Sequence, residues 1–280
     1  MKCTPIRRAA FISFSAVVTF LTSSAQADSG IAARYPGDKN IGTDPNVILA
    51  DDFESYTSTG QLTSSGKWSA VSGSGIAIAS GTGNFFAGSK SIEMTLNIDT
   101  AEHLYEIRKK LETEQDVIYV RAYTKFDSGF DVESSSHNGL VVHAHYPGGA
   151  GVPAPADGTG FFTAALQNNA TGNPLTGENQ PGYYQVYSYW PNQRDNYGDH
   201  WFSDGWVRPG GNGNWLLYPS QYPNFVIKPK HQPNRGQWYC YEIMPVFESS
   251  VSHPHSMVIE SCPRWCARRN VAAFSLATLE

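Results

Sequence analysis

The chain reads as an all-β protein built as a sandwich of sheets, and three observations point there. Short segments of alternating polar and apolar residues recur between residues 47 and 244. Clusters of Gly, Pro, Asn and Ser separate them, in a chain with 26 Gly and 17 Pro. Helical spacing of apolar residues occurs in a single stretch. Many short strands divided by turn-rich spacers are the pattern of two sheets packed face to face.

The first 27 residues carry Lys2, Arg7 and Arg8, an apolar stretch from Ala9 to Leu21, and Ala25-Gln26-Ala27 ahead of Asp28. These are the three parts of a secretory signal peptide, so the expectation is a secreted or periplasmic protein whose mature chain begins near Asp28. An apolar stretch this short does not anchor a protein in a bilayer, and no later segment is apolar enough to try; no membrane partner is expected after cleavage. Without Lys2, Arg7 and Arg8 the 20 Lys+Arg become 17 against 25 Asp+Glu, a net charge of -8 for residues 28–280. Nucleic acid is a poor partner for such a surface.

Residues 28–244 read as one β-sandwich domain, a length that all-β folds reach without splitting. Its strand candidates are Val47 to Phe53, Gly75 to Ala79, Ser91 to Ile98, Val117 to Phe126, Leu140 to Tyr146, Phe161 to Gln167, Tyr183 to Trp190 and Trp238 to Met244. Within Thr100 to Gln115, Leu104, Ile107 and Leu111 have helical spacing behind a Thr100 cap, while Tyr105, Ile107 and Lys109 alternate as in a strand; both readings stay open. Pro147 to Gly160, Asn168 to Gly182 and Pro191 to Pro233 read as long loops, of which the last is rich in Trp and Tyr. Residues 245–280 lose the alternation and read as an atypical tail, poorly packed, such as a frameshift would leave. After loss of Cys3 the chain keeps Cys240, Cys262 and Cys266, an odd number that makes no disulfide framework.

The chemistry concentrates on strand faces. In a strand successive side chains alternate sides. Arg121, Tyr123 and Lys125 thus share one face of YVRAYTKF, His143 and His145 one face of LVVHAHY, and Gln185, Tyr187 and Tyr189 one face of YYQVYSYW. If the three strands are neighbours, these side chains form one surface. Aromatic faces stack on sugar CH groups, long polar chains meet hydroxyls, and Arg121 and Lys125 favour an anionic chain. Tyr123, Lys125, Gln185, Trp190 and Trp201 are the candidate substrate contacts.

A β-elimination on a uronic acid needs a group to neutralise the carboxylate, a base for the C5 proton and an acid for the leaving oxygen. Arg121 or Asn138 supplies the first, His143 or His145 the second, and Tyr187 or Tyr189 the third. Two plainer readings stand beside this one: a merely solvated sheet face, and a His143–His145 metal pair completed by His137, Asp127, Asp131 or Glu133. No cofactor is called for. Asp51, Asp52 and Glu54 are either a structural calcium site or strand-end carboxylates. Glu242 has no second acid at a fixed spacing, so a glycosidase pair is not formed.

The segments VIYVRAYTKFDSGFD, HNGLVVHAHY, GYYQVYSYWPNQRDNYGDHWF and GQWYCYEIM resemble secreted proteins of the concanavalin A-like lectin/glucanase superfamily, and especially its polysaccharide-lyase-like jelly rolls. The resemblance covers residues 47 to 244 and rests on strand order and aromatic pattern. It implies a jelly-roll β-sandwich of two curved antiparallel sheets with ligand across the concave one. Glu-x-Asp-x-x-Glu, Arg-x-Glu-x-Arg and Gln-Ile-His stretches are all missing. The expectation is therefore an exported polysaccharide-active protein that cleaves uronate chains by β-elimination, with a lectin-like binding module and a surface or matrix adhesion module as the alternatives.

Overall fold

The computed structural model describes residues 31–95, 104–113, 115–130, 138–145, 161–169, 182–191, 193–209, 216–217, 226–245, 258–261 and 277–279. The leader 1–27 and the stretches 147–160 and 170–181 lie outside the described residues, as do His137, Asp131 and Glu133. The strands in chain order are β1 (Ala70–Ser72), β2 (Ile76–Ala79), β3 (Ser91–Met94), β4 (Glu106–Lys110), β5 (Val120–Lys125), β6 (Leu140–His145) and β7 (Phe161–Asn169). They continue with β8 (Tyr183–Tyr189), β9 (Asp199–Phe202), β10 (Trp206–Arg208), β11 (Leu216–Leu217), β12 (Trp238–Met244), β13 (Val258–Ser261) and β14 (Ala277–Leu279). Among the described residues helix is confined to short turns such as Gly60–Ser64, and the fold is all-β.

One sheet has nine strands in the order β1-β4-β14-β6-β7-β8-β9-β10-β11; a second has three, β13-β12-β5; β2 and β3 pair separately. Pairing is antiparallel except where β14 runs parallel between β4 and β6. The main core lies between the two larger sheets. Val120 and Ala122 of β5 and Tyr241 and Ile243 of β12 face Leu140, Val142 and Ala144 of β6, Leu166 of β7 and Val186 of β8. Each large aliphatic side chain withdrawn from water there contributes about 1.5–3 kcal/mol. A second cluster, Phe53, Tyr56, Leu62, Trp68, Ile76 and Ile107, sits under β1 to β4.

Several expectations change. β5 pairs with β12, not with β6 or β8, because Val120 to Lys125 align with Ile243 to Trp238. Arg121, Tyr123 and Lys125 therefore do not share a sheet with His143, Gln185, Tyr187 and Tyr189. Since Val120 and Ala122 face the same core as Val142 and Val186, the two polar sets lie on opposite outer faces of the sandwich.

Val47 to Phe53 is not a strand. Asp51 ends it: its carboxylate accepts from the Phe53 amide at 3.0 Å, the Tyr56 hydroxyl at 2.7 Å and Trp68 Nε1 at 2.7 Å, with Lys67 Nζ at 3.4 Å. Phe53 takes a left-handed φ of 59° and its ring stacks on Trp68, a backbone cost of roughly 1–2 kcal/mol that this hub offsets. Burial, together with donation to Asp51, pushes the Tyr56 phenol up to about 12. The alternation of Tyr105, Ile107 and Lys109 prevails as β4, and the stretch from 191 to 233 holds β9 to β11. Within 245–280, β13 extends the sheet of β12, and β14 enters the nine-stranded sheet.

Candidate functional site

The outer face of the nine-stranded sheet is ordered by register. Directly opposed residues in an antiparallel pair point to one side. Val141, Ala165, Tyr187, His200 and Arg208 therefore form a row across β6 to β10. His143, Thr163 and Tyr189 form the next row, and Gln167, Gln185 and Phe202 the one on the other side. Neighbouring strands are about 4.8 Å apart, so the backbones of His143 and Tyr189 are roughly 10 Å from each other. His145 is opposite Phe161 in β6; its side chain lies outside the described residues.

This face is more closed than a solvated sheet. Gln185 is 0% exposed, Tyr187 6%, Tyr189 7% and His200 8%, while His143 and Arg208 are half-buried. His200 Nδ1 is 2.8 Å from Gln185 Oε1. A carboxamide oxygen only accepts, so Nδ1 carries the proton and Nε2 is the basic nitrogen. The imidazole packs on the Tyr187 ring with centroids 4.6 Å apart.

The Tyr187 hydroxyl accepts from the Gly198 amide at 3.2 Å and donates to the Tyr189 hydroxyl at 3.0 Å. Burial, with the hydrogen bond to Tyr189, raises the Tyr187 phenol far above its ordinary value, which keeps it protonated. Phe161 packs against Tyr189 at 5.2 Å. Gln185 Nε2 is buried and has no acceptor among the described residues. Such an unmet donor costs about 1–3 kcal/mol.

The sequence-predicted contacts divide sharply. Arg121 is spent inside the fold: NH1 is 2.6 Å from Asp38, and Nε is 2.9 Å and NH2 2.8 Å from Glu242. Burial disfavours its charge, but the Asp38 and Glu242 carboxylates more than offset that and raise its pKa. Tyr123 donates to Asp38 at 2.9 Å and stacks on Phe86; Lys125 donates to the Gly83 carbonyl and lies over Trp238. These three fasten the segments around Asp38 and Phe86 to the small sheet.

Asn138 is not part of the face either. It brackets the Asn168 backbone with two hydrogen bonds, at 3.2 and 3.3 Å, and so fixes the start of β6. The intervening Gly139 has φ +102°, and a Cβ there would stand 2.2 Å from the Leu166 carbonyl oxygen. Trp190 and Trp201 lie on the other side of the sheet. They pack edge to face at 5.4 Å and donate to Asp199 and Ser188, each at 2.8 Å. Burial raises the Asp199 carboxyl against the lowering pull of Trp190 and Arg194.

His200 and Arg208 are absent from the sequence-predicted set because they lie in the Gly-, Asn- and Pro-rich stretch from 191 to 233, whereas Gln167 ends a strand the alternation does predict. The signal that could have found them is the hairpin DHWF-SDG-WVR, whose Gly205 amide bonds back to Phe202 at 3.0 Å. Among the described residues no three His, Cys, Asp or Glu side chains gather as a metal site. Asp51 serves the hub, and Glu54 accepts from the Ser89 and Lys90 amides at 2.7 and 3.0 Å. With this geometry in view, no family model matches the chain, and neither a curated protein nor a solved structure matches it.

Proposed function

We propose that this protein is an exported jelly roll of the concanavalin A-like kind that takes an acidic polysaccharide on the outer face of its nine-stranded sheet and cleaves it by β-elimination beside a uronate. The reading is carried by one observation: an imidazole oriented by a buried amide, a hydrogen-bonded pair of phenols and an unmet buried N–H share one sheet face. His200 Nε2 is the base for the C5 proton, with His143 at the β6 edge of the same face. The phenol pair holds the proton for the leaving oxygen. Arg208, in register with His200, and Gln185 Nε2 take over the carboxylate contact that Arg121 does not provide.

A binding module without catalysis is the second reading, and it has its own support. The His200–Gln185 and Tyr187–Tyr189 bonds are both formed without a substrate, as in a preformed sugar-binding surface. The test is incubation of the chain with a panel of uronate polysaccharides, following absorbance near ~235 nm from the new C4–C5 double bond that only proton abstraction creates. Product in the wild type and its loss in His200→Ala support elimination. Retention of the polysaccharide without product supports the binding module, and neither retention nor product refutes both.

A further inference from the structure

We infer that Tyr189, not Tyr187, delivers the proton to the leaving oxygen, and that Gly198 and Tyr187 act as a relay that aims it. The inference rests on the elimination reading and assigns direction within it. The Tyr187 oxygen accepts from the Gly198 amide at 3.2 Å, and its own hydrogen goes to the Tyr189 oxygen 3.0 Å away. Tyr189 thereby has an acceptor site filled and its own hydrogen left without an acceptor among the described residues. That hydrogen is the terminal donor of the chain.

Gly198 is built for its place. A Cβ on it would stand 2.6 Å from the Ser188 carbonyl oxygen and 3.0 Å from Tyr187 Cε2. Only glycine lets this backbone come close enough to β8 for its N–H to reach the phenol. Burial keeps Tyr187 protonated, as a donor in the middle of a relay must be. Tyr189 also lies on the His143 side of Tyr187 in the sheet register, and His200 packs on Tyr187 itself. The imidazole and the terminal hydroxyl thus stand at different points of the face, as groups acting on C5–H and on the C4 oxygen must.

The step balances. The C5 proton passes to the imidazole and the C5–H electron pair becomes the C4–C5 double bond. The C4–O4 bond breaks with its electron pair on O4, which takes the Tyr189 proton. The Tyr189 phenolate is then held by the Tyr187 O–H and regains a proton from solvent, as the imidazolium loses one.

The test varies the leaving group. On polysaccharide, Tyr189→Phe is expected to lose roughly 10²- to 10⁴-fold in kcat, the usual worth of general acid catalysis. On a uronate bearing a 4-nitrophenyl group on O4, which leaves without protonation, it is expected within about tenfold of wild type. Tyr187→Phe, which keeps the ring against His200, is expected to lose less on polysaccharide and to be rescued in the same way. The double variant should be no slower than Tyr189→Phe, because Tyr187 works only through Tyr189. Faster amide exchange at Gly198 in Tyr187→Phe, but not in Tyr189→Phe, reads the relay independently of turnover. Slow elimination by Tyr189→Phe with both leaving groups, or losses that multiply in the double variant, overturns the relay alone. A wild type that forms no product from either substrate overturns the elimination reading, and the acid role with it.

Discussion

On the outer face of β5 and β12 the polar heads are answered by other parts of the chain: Arg121 by Asp38 and Glu242, Tyr123 by Asp38, Lys125 by the Gly83 carbonyl. On the outer face of β8 and β9, His200 is held by Gln185 and Tyr189 by Tyr187, yet Gln185 Nε2 and the Tyr189 hydrogen are passed to no neighbour among the described residues. Both faces arise from the same alternation and draw on the same side-chain types. One is a fastening; the other is a buried polar face on which the Gln185 Nε2 and Tyr189 hydrogens meet no acceptor among the described residues. The difference lies in what docks: the turn at Asp38 and the Phe86 ring close the first face with charge and stacking.

The sharpest way to break this contrast is His200→Ala, expected to lower uronate elimination by roughly 10²- to 10⁴-fold per folded molecule. Its urea midpoint is lowered only by what stranding the buried Gln185 Oε1 costs, about 1–3 kcal/mol. Steady-state rates beside urea curves check it. A variant that unfolds more than it slows would make His200 a fastening too. Next is Arg121→Met, which leaves the Asp38 carboxylate buried at 2% exposure without its cation. Breaking such a pair costs about 3 kcal/mol, read as a lowered urea midpoint, while turnover per folded molecule stays at the wild-type level.

A smaller effect depends on pH. His231 lies beside Tyr184, Tyr239 and Tyr241 where the two sheets meet, its Nε2 3.0 Å from the Tyr241 hydroxyl. Burial holds its pKa below the ordinary 6.5. A depressed histidine favours the neutral form in the fold. Its contribution is therefore full above pH 6.5 and is lost as the pH falls through the folded value. His231→Phe is expected to flatten the fall of the urea midpoint between pH 7 and pH 5 relative to wild type. Smallest is Lys125→Ala, which removes the ammonium 5.4 Å from the Trp238 ring. A partly exposed cation–π contact is worth about 0.5 kcal/mol, and polysaccharide retention should not change.

Alternation made the facing of individual strands legible. The sides assigned to Arg121 and Val120, to His143 and Val142, and to Tyr187 and Val186 agree with the core between the sheets. Sheet membership was not legible, because β5 is joined to β12 across more than a hundred residues and nothing local in YVRAYTKF names that partner. Val47 to Phe53 looked like a strand because its apolar spacing is right; the side chain of Asp51 captures the backbone instead. His200 and Arg208 were hidden in a stretch whose Gly, Asn and Pro content outweighed two very short strands. Gly198 could not be recognised at all without knowing that a phenol stands above its amide.

The Asp51 hub has a consequence for how the chain comes together. Its contacts span 2, 5 and 17 residues, whereas the Arg121–Glu242 clasp spans 121. By logarithmic loop-closure scaling, the longer span costs roughly 1.7 kcal/mol more in chain entropy than the 17-residue one. The knot of Asp51, Tyr56 and Trp68 is thus expected to gather early, and the clasp to close late, during refolding from urea. Pulse-labelled amide exchange would show the order directly, with protection around residues 53 to 68 preceding that of β5 and β12.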